Sequence, residues 1–386
     1  MALFEYFPNY VWNLSLAIAM ENGGRNGELM DMCQPIRDAA ANGEDAGTAE
    51  FLKEWVKMAD KLTELAREDE EQGRLFSAAG KLKRASIYYV TAERMQGHGH
   101  PGRAETYRKG VEAFMKGVQY AGEPVEKVTI PYRDGTELSA YLCRAPGAGR
   151  QPLVVYCNGL DSCKEMLYLG GFPAALNQRD ISCLCVDQPG TGDAIRLHNL
   201  PATHASEEWA TPWVDWLVQQ DFVDPARLGM TGISLGGHFA PRAVAFEPRF
   251  ASGAVWGANH NWAEVQQKRL QREGENPVPH YWNHVMWVFG CQTMDEFLAK
   301  AEGMTLNGIM DKITVPFLVT HGAKDRQISV DYAHQSYDQL VNSPRRELKI
   351  FTEREGGVEH VGADNMSFGC DYIADWFADT LGGHTA

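Results

Sequence analysis

Gly232-Ile233-Ser234-Leu235-Gly236 follows the apolar run Leu228 to Thr231 and precedes a helix-compatible segment that begins near Leu235. A serine between a strand and a helix has to turn so sharply that its backbone is strained, and glycines two before and two after it remove the side chains that would collide. The hydroxyl is left exposed at the tip of that turn. At a strand-to-helix junction the pentapeptide therefore reads as a nucleophile, with a plain turn serine as the alternative.

Around it, short apolar runs recur at Leu153 to Cys157, Ile181 to Val186, Ala254 to Trp256, Phe317 to Thr320 and Leu348 to Phe351, mostly separated by helix-length segments. Strands alternating with helices predict an α/β domain, a mostly parallel sheet with helices on both faces. Val128 to Ile130 and Leu138 to Leu142 flank the turn pair Asp134-Gly135 and predict an antiparallel hairpin at the entry to the sheet. One interval is too long for a simple crossover. Residues 259–312 carry Trp262, His280, Tyr281, Trp282, His284 and Trp287 and form an aromatic-rich insertion over the edge of the sheet where ligands bind in such folds. Those aromatics either wall a pocket or stabilise a small core of their own.

Before Pro124 the pattern is helical. Phe51, Leu52, Trp55, Val56, Ala59, Leu62 and Leu65 make one stripe; Leu75, Phe76, Ala79, Leu82, Ala85 and Tyr89 a second; Tyr107, Val111, Phe114 and Val118 a third, after a break at Gly97 to Gly102. Each stripe predicts a one-sided helix. The chain thus divides into a helical N-terminal or cap domain, residues 1–124, and a catalytic domain, residues 125–386. The helices serve either as a structural layer or as a substrate-contacting cap.

A serine hydroxyl needs a base, and imidazole has the suitable pKa. His360 follows the last strand in the loop Gly356-Gly357-Val358-Glu359-His360 and is the last histidine before the terminal amphipathic segment Tyr372 to Leu381. His238, His321 and His384 are weaker rivals. The orienting carboxylate belongs in the loop after the penultimate strand, where Asp325 stands; Asp311 and Asp331 are better placed to cap helices or face solvent. Backbone N–H groups of Leu235 and Leu160 are the expected oxyanion donors, Leu160 lying in Asn158-Gly159-Leu160-Asp161-Ser162.

The 386 residues suit a catalytic core plus a sizeable extra domain, and 44% hydrophobic with 23% charged residues is a globular composition. Thirty-six basic residues against 51 acidic ones give a formal charge of -15, which argues against nucleic acid and anionic membrane partners. Eight scattered cysteines show no metal or redox spacing, and a reduced, cytoplasmic setting is expected. Met1 to Met20 lacks a basic n-region, so no signal peptide is expected, and no stretch is apolar for the length of a membrane span. The sequence carries no phosphate loop and no metal-spaced ligands, so no cofactor and no metal are expected.

Taken together, Asn158 to Glu165, Asp187-Gln188-Pro189-Gly190-Thr191-Gly192, Gly232 to Gly237 with Ala240-Pro241-Arg242-Ala243, and His321 to Asp325 resemble an α/β-hydrolase group. That group includes 2,6-dihydroxypseudooxynicotine hydrolase, the fungal polyketide-shortening pigment hydrolases and the fermentation-respiration switch esterases. The resemblance covers residues 125 to 380 well and the helical region more loosely. It implies the α/β-hydrolase fold with a helical N-terminal domain that helps close the site, the roles of Ser234, Asp325, His360 and the Gly159-Leu160 loop, a small-molecule carbonyl substrate and, as in several members, a homodimer. It also implies a choice of chemistry: hydrolysis of a carbon-carbon bond next to a ketone in an aromatic or polyketide-like substrate, or carboxylesterase activity. A relative that binds ligand without catalysis is the remaining alternative. Asp161, Glu165, His260, Trp262 and Tyr281 are the expected pocket residues.

Overall fold

The computed structural model describes residues 5–41, 48–272 and 280–385; residues 273–279 of the expected insertion lie outside them. Its contacts divide the described chain into two units. One is helical, residues 5–125 with 280–284; the other is built on a sheet, residues 126–272 with 285–385. Five residues of the insertion thus group with the helices, and the rest groups with the sheet.

The helical unit holds α1 (Tyr10–Glu21), α2 (Asn26–Ala41), α3 (Thr48–Glu71), α4 (Leu75–Arg94) and α5 (Arg103–Ala121). The three apolar stripes correspond to α3, α4 and α5. The first two helices were not expected, although α2 buries Leu29, Met32, Cys33 and Ile36 at helical spacing. Asn9 caps α1 by accepting from Val11 N–H, and α1 buries the polar Asn13, whose amide closes bonds to the backbone of Tyr6 and Phe7. Pro35 lies inside α2, which continues through it. One expectation is corrected: α4 is not one-sided, because every residue from Ala85 to Arg94 is buried. Its two charged groups are paired there, Arg94 donating to Ser15 Oγ at 2.9 Å and Glu93 holding Arg103, which makes their burial tolerable. Phe7, Trp12, Phe51, Trp55 and Tyr88 form a continuous aromatic ladder through the unit, with Trp55 stacked on Phe51 at 5.1 Å.

In the second unit eight strands lie in the order β1-β2-β4-β3-β5-β6-β7-β8. They are β1 (Val125–Pro131), β2 (Glu137–Cys143), β3 (Gln151–Cys157), β4 (Ser182–Asp187), β5 (Val223–Ile233), β6 (Phe250–Trp256), β7 (Phe317–Gly322) and β8 (Arg346–Phe351), and the helices after β3 are α6 (Lys164–Leu169), α7 (Phe172–Asn177), α8 (Gly192–Arg196), α9 (Glu207–Leu217), α10 (Gly236–Phe246), α11 (Trp262–Arg272), α12 (Tyr281–Val288), α13 (Met294–Ala301), α14 (Asp331–Gln339) and α15 (Met366–Leu381). From β4 onward all neighbours are parallel, while β2 runs antiparallel to β4. The central strands β3, β4 and β7 are buried throughout, whereas the edge strands β1 and β8 alternate or stay half-exposed. Continuous apolar runs therefore mark the centre of the sheet.

Two neighbouring residues of β6 show that both faces are covered. Ser252 Oγ bonds Thr380 of α15 (Met366–Leu381), while a side chain on Gly253, pointing the other way, would run into Val244 of α10 (Gly236–Phe246). Strand side chains alternate between faces, so α15 and α10 lie on opposite sides of the sheet. Trp55→Ala would empty the centre of the aromatic ladder and is expected to destabilise the helical unit by about 3–5 kcal/mol; a urea transition followed by near-ultraviolet circular dichroism measures it, and an unchanged midpoint would contradict the packing described.

Candidate active site

Ser234 stands between β5 and α10 with φ +57°, in the left-handed region that a residue bearing a side chain rarely adopts. Its N–H is held by Trp256 O at 2.9 Å. The flanking glycines are required by contact: a Cβ on Gly232 would stand 2.3 Å from Gly236 O, and one on Gly236 would stand 2.9 Å from Asn158 O. The strain and the glycines are two sides of one turn, which leaves the serine partly exposed among buried neighbours.

The Ser234 Oγ lies 2.8 Å from His360 Nε2, and His360 Nδ1 lies 2.7 Å from Asp325 Oδ2. The three residues come from the end of β5, the turn after β7 and the loop after β8. Asp325 Oδ1 accepts the N–H groups of Gln327 and Ile328 at 2.7 and 2.9 Å, which fixes the carboxylate in the turn. Burial works against its charge, but the adjacent His360 and His321 and these bonds outweigh it and hold Asp325 below the usual carboxylate range. It is therefore ionised at neutral pH and keeps the Nδ1 proton of His360 directed toward it, leaving Nε2 to accept from the serine.

The loop carrying His360 is shaped by a residue the sequence reading passed over. The Asp364 carboxylate accepts from the N–H groups of Gly357, Val358 and Glu359 at 2.9, 3.2 and 2.9 Å. Arg326 and Glu359, next in the chain to Asp325 and His360, form a two-pronged pair at 3.1 and 3.2 Å, and Lys324 N–H donates to Val358 O at 2.9 Å. The acid loop and the histidine loop are thus tied to each other. Two of the rival histidines, His238 and His321, bond backbone carbonyls. His238 is fully buried, faces Asn259 O, and is driven down to about 3 chiefly by burial, so it stays neutral. His321 Nε2 donates to Ile328 O at 3.0 Å.

The loop after β3 lies directly against the serine: a side chain on Gly159 would stand 3.0 Å from Ser234 Cβ and 3.4 Å from its Oγ. Leu160 follows Gly159 in that loop, and Leu235 follows the serine at the head of α10.

A family model described as Esterase FrsA-like matches residues 45–268, more than half of the chain. The chain belongs to the FrsA-like family. A second model, the prolyl oligopeptidase family, matches residues 210–384. The FrsA-like chain is 25% identical to Hydrolase LUC6 of Fusarium sp, over 98% of this chain and 99% of that one. It is 23% identical to 2,6-dihydropseudooxynicotine hydrolase of Paenarthrobacter nicotinovorans, over 92% of each, and 27% identical to 20-hydroxy-prefusarin hydrolase FUS2 of Gibberella moniliformis, over 91% of each. The solved structure of 2,6-dihydroxy-pseudo-oxynicotine hydrolase superposes with a TM-score of 0.77 at 19% identity, covering 96% of this chain and 97% of that one. The fold is that of the α/β-hydrolases, and the protein is a hydrolase.

Of the pocket residues expected from sequence, three have other partners in this FrsA-like chain. Both ring nitrogens of His260 are taken, by Ser336 Oγ at 3.0 Å and Asn307 Oδ1 at 2.9 Å. Trp262 stacks on Phe289 at 5.1 Å and meets Phe297 edge-on at 5.7 Å, a small core within the insertion. Glu165 is fully buried, accepting from Tyr141 O–H at 2.7 Å and lying 3.1 Å from Lys164 Nζ. Asp161 is half-buried beside Gly159, its carbonyl accepting from Arg196, and Tyr281 belongs to the helical unit, against Trp282. Among the described residues no cluster of His, Cys, Asp and Glu could hold a metal, and no helix is long and apolar enough to cross a membrane.

Sequence reasoning also missed a buried ionic cluster. Lys164, wholly without exposure, reaches Asp187 at 2.8 Å, Asp193 at 3.0 Å and Glu165 at 3.1 Å. Burial opposes its charge, yet the three carboxylates hold its pKa well above normal, while burial and the neighbouring carboxylates push Asp187 upward despite Lys164. Only Asp187 closes an apolar strand, β4; Lys164, Glu165 and Asp193 lie on the helices that follow β3 and β4, where charged residues read as solvated. Lys164→Met would leave carboxylates buried and unpaired, and is expected to cost about 3–5 kcal/mol; the shift of the urea midpoint reads it, and a neutral result would contradict the ionic reading.

Proposed function

We propose that this chain is a serine hydrolase working through an acyl-enzyme. The observation that carries the reading is the unbroken line from Ser234 Oγ through His360 to Asp325, at 2.8 and 2.7 Å. His360 accepts the hydroxyl proton as Ser234 Oγ attacks a carbonyl carbon, and the Leu235 and Leu160 N–H groups receive the negative charge that develops on the carbonyl oxygen. Collapse of the adduct expels the leaving group, which takes the proton from His360, and leaves the acyl group on Ser234. Water, deprotonated by His360, then attacks the ester; its breakdown frees a carboxylic acid and restores the serine.

The favoured leaving group is carbon, from a ketone with an aromatic or polyketide-like portion. When that carbon-carbon bond breaks, its electron pair passes to the departing carbon, which an electron-rich ring or a neighbouring carbonyl stabilises until His360 protonates it. Full-length similarity to hydrolases named for 2,6-dihydropseudooxynicotine and 20-hydroxy-prefusarin supports this reading. Carboxylesterase activity is the second reading, favoured by the description of the matching family model; there the leaving group is an alkoxide. A reduced, cytoplasmic setting suits the eight buried cysteines, none of which is in a disulfide.

Ser234→Ala is expected to abolish labelling by a fluorophosphonate probe and turnover alike. Asp325→Asn, which permits the wrong histidine tautomer, should lower kcat by about 10⁴-fold with KM little changed. Retained labelling of the alanine variant would overturn the acyl-enzyme. A panel of acylphenols, 1,3-diketones and aryl esters, with products identified by mass spectrometry, separates the two leaving groups: rapid ester turnover with the ketones untouched would overturn the carbon-carbon reading.

A further inference from the structure

The loop that lies against Ser234 is held by a relay that begins in the buried ionic cluster. Asp187 has no exposure, and its two oxygens are fully engaged: Oδ1 accepts from Lys164 N–H at 2.8 Å and Asn158 Nδ2 at 3.1 Å, while Oδ2 meets Lys164 Nζ at 2.8 Å and accepts from Asp193 N–H at 2.9 Å. The turn Pro189 to Gly192 closes around this carboxylate so tightly that a side chain on Gly192 would stand 1.9 Å from it. Asn158, equally buried, is the strut that leaves the anchor. Its Nδ2 also donates to Val186 O at 2.8 Å, and its backbone is bracketed by Gln188, whose Oε1 accepts from Asn158 N–H at 3.0 Å and whose Nε2 donates to Asn158 O at 2.9 Å.

From Asn158 the relay turns into the loop. Asn158 Oδ1 accepts from Ser162 Oγ–H at 2.7 Å, and Ser162 Oγ accepts from Gly159 N–H at 3.0 Å. Two consequences follow. The Gly159 N–H is withdrawn from any role at the substrate, and the peptide joining Gly159 to Leu160 is fixed at one end, a side chain's width from the serine. A donor counts in acyl transfer only if it is already aimed when charge appears. We propose that Asn158 and Ser162, anchored on Asp187, are positioning residues that set the Gly159-Leu160 peptide for oxyanion stabilisation. The proposal rests on the acyl-enzyme reading and adds the groups that aim its second donor.

Ser162 is half-buried at the surface of the loop, so Ser162→Ala removes the relay without opening the core. Three measurements compare wild type, S162A, S162T and N158A: the rate of fluorophosphonate labelling, steady-state kinetics on an aryl acetate, and the affinity of phenylboronic acid, which forms a tetrahedral adduct on a serine. S162A is expected to lose about 10–100-fold in labelling rate and kcat, with boronate affinity falling in parallel and KM staying within about twofold. S162T retains the hydroxyl and should recover most of the loss, a rescue that a packing role would not produce. N158A should match or exceed the S162A defect; if it does not fold, S162A and S162T decide alone. Labelling, kcat and boronate affinity in S162A equal to wild type would overturn the proposal, as would a threonine variant as impaired as the alanine. Absence of any labelling of Ser234 in the wild-type protein would instead sink the acyl-enzyme reading, so the two failures are distinguishable.

Discussion

The left-handed backbone at Ser234 is the constraint on which the rest of the site depends. A residue with a side chain held there costs on the order of 1–3 kcal/mol, and it persists because everything around it allows no other path. Trp256 O captures the serine N–H, and Gly232, Gly236 and Asn158 crowd together with no room for a side chain between them. Relaxing the turn would break contacts among β3, β5 and β6 at once. The sheet thereby converts the packing of its centre into the exposure of one hydroxyl.

Two electrostatic assemblies then flank that hydroxyl, with opposite demands. On one side Asp325 has to remain charged, and the structure supplies two backbone N–H groups and the imidazole to keep it so despite burial. Its folded-state pKa is lowered, so its contribution to stability is present above the pKa of an unfolded aspartate, about 3.9, and is lost as pH falls through the lower folded value. On the other side Lys164, Asp187, Asp193 and Glu165 form a cluster buried beneath the loop after β3, with more acidic than basic groups at its centre. Such a cluster is poor as a source of stability, since well-packed apolar groups would serve as well. Its hydrogen bonds to Asn158 and to the turn at Gly192 give it a geometric role that apolar groups could not take.

Much of this was legible in the sequence because the signals were strong and local. The elbow pentapeptide, the apolar runs of β3 to β8, and the order of Ser234, Asp325 and His360 all read directly from residue type and spacing. The shaping residues did not. Asp364, Arg326 and Glu359 act through partners in loops, where no periodicity marks them, and Asp187 and Lys164 are 23 positions apart in the chain while 2.8 Å apart in space. Helix α1 escaped notice because its buried Asn13 and Ser15 look like exposed polar residues until their partners are known. The insertion aromatics were ambiguous from sequence for a physical reason: Trp262 satisfies the same criteria whether it faces a ligand or, as here, Phe289 and Phe297.

The most direct test of the account is a crystal structure of the protein after reaction with an aryl fluorophosphonate. The expected result is phosphorus bonded to Ser234 Oγ, with the phosphoryl oxygen within hydrogen-bonding distance of the Leu235 and Leu160 N–H groups and His360 still bound to Asp325. An adduct on another residue, or a phosphoryl oxygen turned away from both N–H groups, would contradict it.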